Sequence, residues 1–117
     1  MTKEELENRL INFSVLTIDV SENLKDTRAG NYFAGQIIRS GSSPALNYRE
    51  AQSAESKRDF IHKMKISLKE LRETFVALNI IRRANLHLEY PHIDDALKEN
   101  DELVSIFVAS LNTAQSR

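Results

Sequence analysis

Ile61, Met64, Leu68, Leu71, Phe75 and Leu78 recur at intervals of 3-4-3-4-3 along the chain. A strand, with its period of two, scatters such positions over both faces, whereas a helix of about 3.6 residues per turn gathers them on one. The spacing is that of an apolar seam in a helix crossing its neighbours at a shallow angle, as in a bundle or coiled coil. Ser56 followed by Asp59 supplies a capping box at its start. The pattern predicts a helix from about Ser56 to about Ala84, long enough to set the height of the whole bundle.

The other segments are weaker versions of the same signal. A first helix is predicted over about Thr2 to Leu24, with Glu4 and Glu5 on the positive end of its dipole. Leu6, Leu10, Phe13, Val20 and Leu24 form its stripe. Leu16 and Ile18 widen the apolar surface beyond that stripe, so the helix needs cover on more than one side, and a partner subunit is one source of it. A second helix is predicted in two halves, Asn31 to Ile38 and Pro44 to Gln52. Ser43 is the candidate cap of the second half, and a kink or short break is expected at residues 40–43. A fourth helix follows Tyr90-Pro91, with Asp94 and Asp95 in its first turn and Ile93, Leu97, Val104, Phe107 and Leu111 on one face.

A chain of 117 residues suits one domain, spanning 1–117, because domains hold roughly 100–150 residues around a single core. Only 3 Gly and 2 Pro occur, and Leu, Ile, Ala, Glu, Lys and Arg dominate, which is helix-forming usage. Cysteine is absent, which excludes disulfides, thiolate metal sites and thiol nucleophiles and fits a reducing cytoplasm. The N-terminus lacks the form of a secretion signal. The longest uncharged run, Leu103 to Ser116, is broken by polar residues and falls short of the ~20 apolar residues of a membrane span. A cytoplasmic protein without membrane attachment is expected.

Residues that carry chemistry are few. Glu89-Tyr90-Pro91-His92 has the Glu-x-x-His spacing of di-metal bundles, but those sites need the motif twice on continuous helices together with further inward Glu residues; no metal or cofactor site is expected. His87 and His92 read as loop residues flanking a turn, and His62 sits one position off the seam. Arg39-Ser40-Gly41-Ser42-Ser43 lacks the second glycine and the lysine of a phosphate loop. Glu99 and Glu102 read as part of a solvated acidic face. Nothing here supports catalysis, so the expectation is a protein that is not an enzyme.

Charge is the most informative remaining feature. The net charge is −1, yet residues 28–83 carry eleven basic and five acidic groups, while both flanking segments are acidic. Within the third helix, Arg58, His62, Lys65, Lys69 and Arg72 follow 4-3-4-3 spacing, a row rotated about 100° from the seam. Like charges so placed weaken an isolated helix by a few tenths of a kcal/mol per pair. Such a row calls for anionic neighbours: acidic residues of the first or fourth helix, or the phosphates of RNA or DNA. Arg39, Lys57 and Lys63 extend the surface, although Asp59 can pair with Lys63. Asn47 and Glu50 share a helix face, and Glu50 with Arg39 or Arg49 is a candidate polar network where the second helix meets a neighbour.

The stretch from Gln36 through Arg39-Ser40, Ser43, Asn47 and Glu50-Ala51, followed by Ser56-Lys57-Arg58-Asp59-Phe60, resembles the signature of the 23S rRNA-intervening-sequence proteins. Leu68 to Thr74 continues the resemblance, which covers most of residues 6–83. Pro44 and Leu46 stand where that family usually has Ile and Gly or Ala. The resemblance implies an antiparallel up-down four-helix bundle assembling into a ring-like homopentamer. Some members are encoded within insertions in 23S rRNA genes, and related accessory proteins of diversity-generating retroelements bind nucleic acid and a reverse transcriptase. The family supplies no catalytic residues. The expectation is therefore an all-α, non-enzymatic homo-oligomer acting as a scaffold or as a nucleic-acid-binding (RNA or DNA) accessory protein through the basic middle of its chain, or else a protein–protein adaptor without nucleic-acid contact.

Overall fold

The structure is a computed structural model and describes residues 1–89 and 92–117. It contains four helices: α1 (Lys3–Glu22), α2 (Arg28–Gln52), α3 (Lys57–Arg83) and α4 (His92–Gln115). α1 packs on α2 and α4, and α3 packs on the same two helices, so α1 and α3 stand on one diagonal and α2 and α4 on the other. This cyclic order is consistent with an up-down bundle. Tyr90-Pro91, the expected breaker before α4, lies outside the described residues.

Local chemistry accounts for the helix ends. Thr2, Thr27 and Ser56 each hold extended backbone angles and accept, through their hydroxyls, the backbone N–H three residues on, at 3.1, 3.0 and 3.0 Å. α3 ends in a Schellman turn: Leu86 N–H donates to Ile81 O at 3.0 Å and Asn85 N–H to Arg82 O at 3.2 Å. Asn85 occupies the left-handed position with φ 54°, and Leu86 packs on the same cluster as Ile81. α1 stops at Glu22, two residues short of expectation. Leu24 instead pairs with His87 in an antiparallel bridge that ties the α1–α2 and α3–α4 connections together.

α2 departs most from the sequence reading. It starts at Arg28 and runs unbroken through Gly41 and Pro44 to Gln52. Ser43 caps nothing; its hydroxyl accepts from Asn47 Nδ2 at 2.9 Å within the helix. Pro44 removes one backbone N–H, a loss of about 3 kcal/mol in an unsupported helix interior, and this is consistent with a bend rather than a break. Tertiary contacts hold the segment helical. Ser14 Oγ donates to Gly41 O at 3.2 Å from α1, and Ser67 Oγ donates to Pro44 O at 3.2 Å from α3.

Those contacts belong to a polar waist across the bundle. One apolar cluster, containing Leu10, Phe13, Met64, Leu71, Leu103 and Phe107, fills one half. A second, containing Val20, Ile37, Leu78, Ile81, Ile93 and Leu97, fills the other. Between them lie buried Thr17, Ser40, Thr74 and Asn100, one from each helix. Thr74 Oγ1 donates to Ser40 Oγ at 2.8 Å, and Asn100 Nδ2 donates to Leu71 O at 2.9 Å. The predicted seam of α3 faces inward, with Met64, Leu68, Leu71 and Leu78 buried and Ile61 and Phe75 half-buried. In α4 the predicted face is buried at Ile93, Leu97, Phe107 and Leu111, while between them Leu103 is buried fully and Val104 partly, and Asn100 is buried as well.

Candidate nucleic-acid interface

The row predicted on α3 is laid out in full on the outside of the bundle. Arg58, His62, Lys65, Lys69 and Arg72 are all exposed. Among the described residues, none of the five comes within ion-pair distance of a carboxylate. Lys69 and Arg39 act through their charge on Glu70, the residue next to Lys69 on α3, without forming an ion pair with it. Burial, and then the neighbouring Glu73, push the Glu70 carboxyl up from its ordinary value.

The acids of α1 and α4, one expected source of partners for the row, are engaged elsewhere or stand apart. Arg9 of α1 reaches Glu99 of α4 through two hydrogen bonds, of 3.0 and 2.5 Å, with Glu102 3.6 Å away. Those bonds raise the guanidinium's affinity for its proton still further. Arg82 of α3 pairs with Asp94 of α4 at 3.1 Å. Helices of opposite charge do pack side by side, then, but with cations outside the row. Glu99 and Glu102, read from sequence as a solvated face, in fact clamp Arg9; nothing in local spacing marks that partner, because it lies 90 residues away.

The polar residues of α2 divide between two neighbours. Arg49 reaches Glu7 of α1, and Glu50 receives Lys63 of α3, each at 3.4 Å. The expected network of Glu50 with Arg39 or Arg49 does not form. Consecutive residues project about 100° apart on a helix, so Arg49 and Glu50 face different partners, and Arg39 turns to Gln36 at 2.9 Å. Lys63 is likewise taken by Glu50 rather than by Asp59, whose backbone N–H serves the Ser56 cap. Asn47 donates to Ser43 O and Oγ inside its own helix.

The histidines are peripheral. His62 is exposed on α3, and His87 lies in the α3–α4 connection with Nδ1 2.9 Å from Leu88 O. His92 is the first residue of α4 rather than a loop residue, with Asp95 at 3.5 Å. Among the described residues no group of three or more metal-ligating side chains converges, and no helix is long and apolar enough to cross a membrane.

Sequence reasoning missed what lies beside the row. Lys65, Lys69 and Arg72 line one stretch of a surface groove of about 940 Å³ that continues past Val76 and Ile80 to Tyr32 and Phe33 of α2. Val76 and Ile80 follow Arg72 at intervals of four, so the same helical line changes from basic to apolar along its length. That continuation was visible in the sequence; the approach of Tyr32 from α2 was not.

The chain is similar over residues 4–109 to the model of the family described as 23S rRNA-intervening sequence protein. No curated protein matches it. Among solved structures, it is similar to a protein of unknown function from the S23 ribosomal protein family of Bacteroides thetaiotaomicron VPI-5482. The TM-score is 0.82 at 27% identity, covering 96% of this chain and 99% of that one. Neither the family description nor the solved relative names an enzyme. With a family match across nearly its whole length and the matching bundle, the chain belongs to the 23S rRNA-intervening sequence protein family.

Proposed function

We propose that this chain is a non-enzymatic, homo-oligomeric accessory protein of the cytoplasm that binds RNA through the basic row of α3. The observation that carries the proposal is the row itself: Arg58, Lys65, Lys69 and Arg72, with His62 in line, are exposed, and among the described residues none of them forms an ion pair. Phosphates supply the missing charge, and neutralising them releases counterions, which makes binding strong at low salt. Self-association is supported by a second surface. Ile11, Val15 and Ile18 on α1 are 46, 51 and 41% exposed, and Ile38 and Leu46 are exposed on adjacent α2. An exposed apolar patch of this kind marks an interaction site. The proposed count, five, rests on the family resemblance.

The test is RNA binding by Lys65→Glu with Lys69→Glu. Both positions are exposed, so the double variant should fold like the parent and lose RNA binding. Binding equal to the parent's contradicts the proposal. For the assembly, mass photometry at micromolar concentration should show oligomers, and monomer alone contradicts it. A protein adaptor is the second reading, favoured by the exposed apolar stretch of Val76 and Ile80; it predicts partner binding that nuclease treatment leaves intact and the charge reversals do not remove.

A further inference from the structure

The groove beside the row changes character along its length. Toward one end stand Lys65, Lys69 and Arg72, with Leu68, Val108 and Leu111 also in the lining; toward the other stand Val76, Ile80 and the ring of Tyr32, with no cation among them. From Lys65 to Ile80 the groove follows fifteen residues of α3, roughly 22 Å at 1.5 Å per residue. Tyr32 is 64% exposed, far more than a core aromatic, and its ring meets Phe33 edge-on at 5.0 Å, while Phe33 packs on the second core cluster. The groove therefore offers an exposed aromatic ring beside a half-buried one, next to a line of cations without ion pairs among the described residues.

A duplex has no use for the apolar end. Its bases are stacked inside, and it presents phosphates and 2′-hydroxyls to a protein. A single strand exposes both a charged backbone and the faces of its bases, and proteins that bind single strands combine a basic track with aromatic rings on which bases stack. Resting on the proposed RNA binding at this row, we infer that the groove takes single-stranded RNA, with its phosphates along Lys65, Lys69 and Arg72 and an unpaired base on Tyr32. Glu73, also in the lining, leaves the groove with an excess of positive charge. Charge complementarity thus favours an RNA strand over an acid-poor peptide at the basic end, and the aromatic end favours bases over a duplex backbone.

The experiment compares fluorescence-anisotropy affinities for a labelled 12-nucleotide single-stranded RNA and a 12-base-pair RNA duplex, using the full chain and its Tyr32→Ala, Tyr32→Phe and Lys65→Glu/Lys69→Glu variants. The expected result is tighter binding of the single strand than of the duplex. Tyr32→Ala should weaken the single strand roughly 5- to 150-fold, the range for one lost stacking partner, and leave the duplex unaffected. Tyr32→Phe should bind like the parent. Because Tyr32 is exposed, thermal unfolding should not change between these variants. Equal affinity for duplex and single strand, or indifference of the single strand to Tyr32→Ala, overturns the groove assignment while leaving the basic row standing if the charge reversals still abolish binding. If the charge reversals also bind like the parent, the proposed function fails with it. A change in oligomer size on Tyr32→Ala, without a change in RNA affinity, assigns the groove to a second copy of the chain and overturns the inference.

Discussion

Gly41 shows how a single residue fixes the approach of two helices. A Cβ built there would stand 2.5 Å from Thr17 Oγ1 and 2.8 Å from its Cβ and Cγ2, and Thr17 is itself fully buried on α1. Gly41→Ala should gain about 1 kcal/mol of helix propensity and lose more to overpacking, typically 1–3 kcal/mol. We expect a lower melting temperature, with much of the loss recovered in combination with Thr17→Ala. Glu70 is a second residue whose environment has a measurable consequence. Its carboxyl holds its proton more tightly in the folded chain than its ordinary value of 4.5. Ionising it therefore opposes folding: the stability it confers is complete below the ordinary carboxylate range and is lost as pH rises through the folded value. Glu70→Gln should raise stability at pH 7 and lose that advantage below about pH 4, as urea titrations at the two pH values would show. Neither effect was legible in the sequence. Gly41 read as part of a break in the second helix, and no sequence feature singled out Glu70, because both effects depend on what the fold places around the residue.

Among elements, the caps and the seam were the parts the sequence disclosed. Thr2 and Ser56 announce α1 and α3 because capping is settled within three or four residues of chain. Asn85 extends this to the far end of α3, where the left-handed angle disfavours branched side chains. Asn85→Gly should be neutral or slightly stabilising, whereas Asn85→Val should destabilise by about 1–2 kcal/mol, as read by thermal unfolding. α2 was misjudged for the opposite reason. The run Gly41-Ser42-Ser43-Pro44 is poor helix by every local measure, and what keeps it helical comes from Ser14 and Ser67 on its neighbours. Small residues there are what a close approach of three helices requires. In α4, Ile93, Leu97, Phe107 and Leu111 are buried as read, while Leu103 rather than Val104 takes the fully buried place between them and Asn100 is buried among them.

At the scale of the whole molecule, the basic middle and acidic ends of the chain meet in only part of their charge. Arg9 and Arg82 find carboxylates of α4, and Arg49 and Lys63 are paired across α2. Among the described residues the row on α3 forms no ion pair, so part of the uneven charge visible in the sequence becomes, in three dimensions, an exposed basic line with a groove beside it. The row was legible because it is periodic along one helix. The groove's aromatic end was not, because Tyr32 arrives from another helix. The central claim is tested most directly by the salt dependence of single-stranded RNA affinity. Log affinity against log salt should fall linearly for the parent, with a slope of roughly −0.7 for each phosphate neutralised. Neutralising Lys65 and Lys69 to Gln should make that slope shallower by about 1.4 and leave the fold unchanged. A slope that is the same in parent and variant would contradict the assignment of the row to phosphate.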